Sequence, residues 1–391
     1  MLTSTTTVLL TLLSAASTSA AAVTPRAEHD TRGQCAPVRA EAAVQGVPGG
    51  CPVPDGDFNI TSLRLYPENA DYDPKSCRLY ISVLYNASIA VYDFRTKQVE
   101  KMIEIPGLSG DVTLHASGVQ LDPTYGKLGF LLNWGPAFDT SGENITGPHN
   151  LIIWDLKQES VHCQVDLQKE LDTPGRLGYQ DLEFDDEGNV FVVGTYGGIM
   201  ARVSPDCKTV KEWYTNEAPA PAAGLTGVSR IGGNNLLVTD NNAQGLYRIS
   251  MDEGGDRAAT RVEIKNSTSG AAAANFRDMD GLYCPPKYGN KCCLLSDSDA
   301  GTTAYLSNDG WASASNLGSV PNKYLNDTPR GFTAASVEVQ GKIFVITEWF
   351  QDGIALERGA GTPGERESFP FQDITKEVDE LCKSSSPATE A

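Results

Sequence analysis

The stretch Tyr179-Gln180-Asp181-Leu182-Glu183-Phe184-Asp185-Asp186-Glu187-Gly188-Asn189, running on into Val190-Phe191-Val192-Val193-Gly194-Thr195, decides the fold. An Asp-Asp-Glu-Gly-Asn turn separates a first segment from a short apolar, β-branched run, so the stretch reads as a hairpin. Hairpins of this form recur roughly every 45 to 60 residues along the chain. Glu68 to Pro74 leads into Leu79–Tyr85, His115 to Gly118 into Leu128–Asn133, and Leu225 to Gly227 into Leu236–Asp240. Asp278 to Gly281 leads into Cys292–Asp297, and Thr333 to Ala335 into Ile343–Glu348. Third strands follow, as at Ile89–Phe94, Leu151–Leu156, Ile199–Val203 and Gly245–Ile249.

Six such units, with the one amphipathic helix candidate at Asp373–Cys382, predict an all-β, six-bladed β-propeller over residues 57–375. Two stacked β-sandwiches are the alternative architecture. Around the propeller the expected parts are a signal peptide at 1–22, an N-terminal extension at 23–56 holding Cys35 and Cys51, and a tail at 376–391. The leader reads from the apolar core Val8–Leu13 and the exit Ala20-Ala21-Ala22. No apolar run is long enough to span a bilayer, so no membrane anchor is expected.

Five Asn-x-Ser/Thr sequons, at Asn59, Asn86, Asn144, Asn266 and Asn326, together with nine cysteines point to the secretory pathway. The protein is expected to be secreted or held in a vesicular or vacuolar compartment. An odd cysteine count leaves at least one thiol unpaired, and no Cys-x-x-Cys pair suggests zinc. A net charge of −19 argues against nucleic acid or anionic lipid as partner. Gly359 to Gly364 matches a Gly-x-Gly-x-x-Gly pattern but opens no helix and carries Pro363, so it is a loop and not a nucleotide cradle.

In a propeller the start of each innermost strand and the end of the second strand meet at one face, around the central channel. Strand starts collect Glu68, His115, Tyr179, Gln180, Asp181, Thr226, Asp278 and Asp280. Second-strand ends collect Tyr85, Asn133, Thr195, Asp240 with Asn241, Asp297 and Glu348, followed by the aromatics Trp134, Tyr196 and Trp349. Any one Asp or Thr here reads first as a turn cap. Several carboxyl groups converging on one channel instead either hold a cation or raise one another's pKa and become proton donors. Of the four histidines only His115 falls at a channel position. His29 precedes the fold, His149 sits in a Gly/Pro-rich loop, and His162 is on an outer strand.

The stretch 179–195 resembles the third blade of the gluconolactonase and strictosidine-synthase-like propellers. Glu68, Gln180, Thr226 and Asp280 stand where lactonases of that superfamily place Glu, two Asn and Asp around a divalent metal. Gln and Thr in place of the two Asn imply no catalytic metal, though a structural calcium is allowed. A fuller resemblance rests on His115-Ala116-Ser117-Gly118-Val119, Ala137-Phe138-Asp139-Thr140, Gly224-Leu225-Thr226-Gly227 with Asp240-Asn241, Pro285-Pro286-Lys287-Tyr288 and Glu348-Trp349-Phe350. These look like the fungal trichothecene-cluster propeller proteins, a family that includes a skin-yeast propeller allergen and the hetero-Diels-Alderases of tropolone-sesquiterpenoid clusters.

That resemblance implies a small hydrophobic metabolite as partner, no cofactor, and a cyclase or pericyclase closing a ring in a terpenoid or meroterpenoid. In that reading Asp280, Glu348, His115 and Tyr179 are catalytic, and the remaining channel positions bind substrate. The alternatives are a non-catalytic lipid or metabolite binder and a calcium-dependent lactonase or esterase. Oligomeric state is not legible.

Overall fold

The computed structural model describes residues 50–171, 173–216, 221–254, 258–265, 276, 278–352 and 363–384. Six antiparallel-built sheets are arranged as the blades of a propeller. Blade 1 spans 67–103, blade 2 spans 114–166, blade 3 spans 177–215, blade 4 spans 225–261, and blade 5 spans 279–321 with a parallel outer addition at Glu263–Lys265. Blade 6 takes its three inner strands from 332–373. Its outermost strand, Phe58–Thr61, comes from the other end of the fold and pairs with Ser368–Asp373. The ring is thus closed by backbone hydrogen bonds between the first and last strands of the propeller.

The apolar runs do not alternate because each blade is covered on both faces by its neighbours. All seven residues of Val190–Tyr196 and all six of Ser88–Asp93 are buried. Six apolar clusters result, one in each seam: Phe344 with Ile81 between blades 6 and 1, Leu151 with Phe184 between 2 and 3, and Trp213 with Val228 between 3 and 4 are examples. Removing that surface from water drives the blades together.

Buried polar groups then fix the register between blades. Asp71 accepts from the Leu121 amide at 2.7 Å, Asp181 from Val228 at 3.0 Å, and Glu183 from Arg230 at 3.0 Å. Ser229 Oγ accepts from the Cys284 amide at 3.0 Å, and Gln340 donates to the Tyr72 hydroxyl at 3.1 Å. Each joins one blade to the next.

Among the described residues four disulfides are present: Cys51–Cys77, Cys163–Cys207, Cys284–Cys293 and Cys292–Cys382. The first ties residues just before the propeller to blade 1. The last fastens the helix Thr375–Ser384, within the stretch expected to be a tail, onto blade 5, where Val378 and Cys382 join the apolar cluster of the blade 5/6 seam. Four bridges suit a chain that folds in an oxidising, secretory-type compartment. Cys35, the leader and Asn266 lie outside the described residues. Asn59 and Asn326 are exposed, whereas Asn86 and Asn144 are half-buried. Asn86 Nδ2 donates to Ser88 Oγ at 2.9 Å, and Asn144 Oδ1 accepts from Trp134 Nε1 at 3.4 Å. Among the described residues no helix is long and apolar enough to cross a membrane.

Candidate functional site at the central channel

At one end of every blade the start of the innermost strand faces the end of the second. The pairs are Pro67 with Val83, His115 with Asn133, Leu177 with Tyr196, Leu225 with Asp240, Met279 with Asp297 and Phe332 with Glu348. Within a residue or two of each pair the inner strand slips register. The skipped positions are Glu68-Asn69, Ser117-Gly118, Gln180, Thr226-Gly227, Asp280-Gly281 and Ala334. A bulge breaks the in–out alternation of a strand and re-aims a side chain. Repeated six times, it gives the channel its polar ring.

The bulges also explain three glycines. A Cβ on Gly118 would stand 2.8 Å from Asp181 Cα and 2.9 Å from the Gln180 oxygen. One on Gly227 would stand 2.5 Å from the Leu282 nitrogen, and one on Gly281 2.8 Å from the Ala334 oxygen. Bulge backbone packs directly on the bulge backbone of the next blade, so no side chain fits between.

Four carboxyl groups meet in this ring. Burial pushes the Glu68 carboxyl well above the usual range, with repulsion from Asp280, Asp181 and Glu348 adding to it. Glu348 is fully buried, and burial pushes it well up in spite of the Trp349 amide and Arg366. Asp280, which keeps partial exposure, is pushed up to about 7 by burial, against hydrogen bonds from Gln180 and Ser298. Asp181 is likewise pushed up to about 7 by burial, against the Val228 and Leu182 amides. Arg366 is committed elsewhere: its Nε donates to Asp352 at 2.5 Å and its guanidinium lies 4.3 Å from the Trp349 ring. Among the described residues Glu68 Oε2 has no hydrogen-bond partner, and Glu348 has only the Trp349 amide, too poorly placed to complete a bond to either oxygen. Buried oxygens of that kind are costly unless something arrives to satisfy them.

Gln180 links blades 3 and 5. Its Nε2 donates to Asp280 Oδ1 at 2.7 Å, and its Oε1 accepts from the Thr195 hydroxyl at 2.8 Å. On the neighbouring arc Tyr85 stands edge-on to both Tyr66 and His115, with ring centroids 5.2 and 5.4 Å apart. Burial raises the Tyr85 hydroxyl, and Glu348 is the strongest of the charges that add to this. Burial lowers His115, keeping it a neutral imidazole, while Asp139 pulls the other way. The His115 ring lies against Gly135, whose Cβ would be 2.8 Å from Nε2, and among the described residues that nitrogen has no partner.

Other expected site residues are placed differently. Tyr179 points into the seam between blades 2 and 3: Gly194 lies beneath its ring, and the charge that reaches its hydroxyl is Glu212, on the outermost strand of blade 3. It is a core residue because the bulge at Gln180 turns the alternation over, so Gln180 and not Tyr179 joins the ring. Asp240 caps its own turn, accepting from the Asn242 and Ala243 amides, and takes Asn216 Nδ2 at 2.9 Å. Asn241 exchanges two hydrogen bonds with the Met279 backbone, stapling blade 4 to blade 5. Thr226 bonds to Thr239 at 2.8 Å. Asp278 is exposed, and Asp297 caps the following turn through the Asp299 amide. Tyr196 packs against Phe138 and beside Gly142 and Gly178, Trp134 against Gly147, and Trp349 between Phe369 and Tyr324.

His149, expected in a loop, opens the third strand of blade 2 and is fully buried. Its ring stands edge-on to Tyr179 at 5.8 Å. Gly147 and Pro148 immediately before it hid the strand's start, so the sequence places the strand only from its first apolar residue, Leu151. His162 is on an outer strand, as expected.

The donor set does not fit a divalent cation at the four lactonase-like positions. Gln180 spends its carbonyl oxygen on Thr195 and points its amide hydrogens at Asp280, and the Thr226 hydroxyl is taken by Thr239. A cation wants oxygens free to turn towards it. Among the described residues no group of three or more His, Cys, Asp or Glu is arranged to hold a metal.

Comparison with known proteins agrees with this architecture. The chain is 31% identical over 348 residues to trichothecene biosynthesis protein 14 of Trichoderma arundinaceum, covering 84% of this chain and 91% of that one. It is 31% identical to core trichothecene cluster protein 14 of Fusarium sporotrichioides, covering 85% and 89%. The crystal structure of the major Malassezia sympodialis allergen Mala s 1 superposes with a TM-score of 0.66 at 20% identity, over 82% of this chain and 96% of the allergen, and so shares the propeller fold. Residues 44–320 match the family described as Mal s 1 allergenic protein-like, and with the two relatives aligned over most of their length the chain belongs to that family.

Proposed function

We propose that this propeller acts in secondary metabolism as a metal-independent cyclase, closing a ring in a small, neutral, oxygen-bearing terpenoid or meroterpenoid held in the channel. The observation that carries the reading is the set of buried carboxyl oxygens on Glu68 and Glu348 left without a well-formed hydrogen bond among the described residues, in one ring with Asp280 and with His115, whose Nε2 is likewise unsatisfied. The printed names of the two curated relatives, both tied to trichothecene biosynthesis, support a biosynthetic role.

Carboxyl groups held protonated near neutral pH are hydrogen-bond and proton donors, and a neutral imidazole with a bare nitrogen is an acceptor. In an epoxide-opening closure, a hydroxyl of the substrate attacks an epoxide carbon of the same molecule. The new C–O bond forms as the epoxide C–O bond breaks. The proton on the attacking oxygen passes to His115 Nε2, and Glu348 or Asp280 gives a proton to the departing oxygen. Return of the proton from His115 to the carboxylate resets the site, and the product is an isomer of the substrate. An intramolecular hetero-Diels–Alder closure uses the same donors to polarise a carbonyl while the channel walls hold the diene and the carbonyl of one molecule together, and its product too is an isomer of the substrate.

The test is to incubate the purified protein with a metabolite extract from a culture that lacks this gene and to follow masses and retention times, with and without a chelator. Ring closure converts one compound into another of identical mass, chelator or not. A product heavier by one water that chelator abolishes would favour a metal lactonase, and a ligand carried through unchanged would favour a binder.

A further inference from the structure

Behind the ring, a buried polar chain runs from His149 to Gln180. Asn133 is fully buried, and its Nδ2 donates to the Tyr179 carbonyl and, at 2.6 Å, to Ser117 Oγ. The Tyr179 carbonyl stands at the register slip of its strand, where the ladder leaves backbone groups unpaired, and Asn133 satisfies it from the neighbouring blade. Because a carbonyl can only accept, that contact fixes which end of the Asn133 amide is nitrogen. Oδ1 therefore faces His149, whose Nδ1 lies 3.4 Å away. Oδ1 cannot donate, so this contact calls for the hydrogen on Nδ1, the ring nitrogen that has a partner, since Nε2 completes no hydrogen bond among the described residues. Burial pushes His149 down to about 4, against the Ile145 carbonyl and Asp166, so it is neutral. Gly118, next to Ser117, lies on the Gln180–Asp181 backbone too closely to allow a Cβ.

We propose that His149 is a positioning residue: acting through Asn133, it holds the Tyr179–Gln180 peptide so that the Gln180 amide is aimed at Asp280 across the channel. His149 touches no substrate in this account. The inference takes Asp280 as one of the channel's acids, as in the reading above, yet its readout is Asp280 itself and needs no turnover, so the two can fail separately.

The experiment follows carbon-13-labelled aspartate carboxyl resonances through a pH titration of the full-length protein, with the Asp280 signal assigned by its loss in Asp280→Asn. His149→Phe fills the ring volume and removes the donor. It should move the Asp280 midpoint upward by about one pH unit, because a mis-aimed Gln180 no longer stabilises the carboxylate. Gln180→Leu should give the same shift, and His149→Gln, which keeps an N–H, should restore most of the original midpoint. A merely structural histidine would lower the melting temperature and leave the midpoint where it was. Should His149→Phe not fold, Asn133→Leu cuts the chain one link nearer and is read in the same way. An unmoved Asp280 midpoint in a folded variant overturns the proposal, as does failure of both variants to fold, which would make the pair a core element only.

Discussion

Gln180 of blade 3 donates through Nε2 to Oδ1 of Asp280 in blade 5 at 2.7 Å, reaching past blade 4. This contact, with one from Ser298, favours the charged form of Asp280 and restrains what burial does to it, leaving the carboxyl at about 7 while Glu68 and Glu348, which take no side-chain hydrogen bond among the described residues, are driven well above their ordinary values. The ring therefore holds two acids near neutrality, Asp280 and Asp181, beside two stronger proton-holders, and of the two only Asp280 keeps partial exposure.

Replacing Gln180 by Leu removes that restraint. If protonated Asp280 is the active form, the alkaline limb of the pH–rate profile should move upward by about one pH unit. A limb that stays in place, measured as turnover against pH, would take Asp280 out of the acid role.

Glu348→Gln keeps the shape and loses the transferable proton. Turnover should fall by about 100-fold or more, with little change in substrate affinity. His115→Phe keeps a ring against Gly135 and Tyr85 but loses the bare nitrogen, and should cost about as much. Steady-state kinetics of the two variants check this, with the double variant little worse than either single one if acid and base act in one step.

Stability should depend on pH in an uncommon direction. Asp71, Asp181, Glu183 and Asp280 each reach about 7 in the folded protein, chiefly through burial. In the unfolded chain such groups titrate at about 4. Between these values the folded state binds more protons, so the stability these four groups contribute is fully present below about pH 4 and drains away as pH rises through 7, and Glu68 and Glu348, raised further still, extend the loss above it. Melting temperatures should fall by roughly 10 °C from pH 5 to pH 8. A rise over that interval would mean that these carboxyl groups are not held protonated.

Gly227→Ala places a methyl 2.5 Å from the Leu282 nitrogen and 2.7 Å from the Asp280 oxygen, both backbone atoms that cannot swing aside. The blade 4/5 seam must open, and the variant should lose about 2 kcal/mol in denaturant unfolding. By contrast Gly232→Ala, whose Cβ would meet nothing within 4 Å, should be close to neutral.

The hairpin repeat and the channel face were legible because turn residues and β-branched runs are local signals, and Glu68, Gln180, Asp280 and Glu348 could be named from their places in the repeat alone. The bulges were not legible. A bulge depends on the backbone of the next blade, as Gly118 does on Gln180–Asp181, and one slipped residue sends Tyr179 into the seam while turning Gln180 to the channel. His149 was hidden for a related reason. Its strand begins with polar residues after Gly147 and Pro148, and only its partner Asn133, sixteen residues earlier, reveals it as part of a buried chain.

The central claim is that the channel isomerises its ligand without adding water, and turnover in oxygen-18 water tests it most directly. Ring closure by an internal hydroxyl predicts a product of unchanged mass that carries no heavy oxygen, with the reaction slowed in Glu348→Gln. Heavy oxygen in the product would show that solvent is the nucleophile, and the channel would then be a hydrolase site.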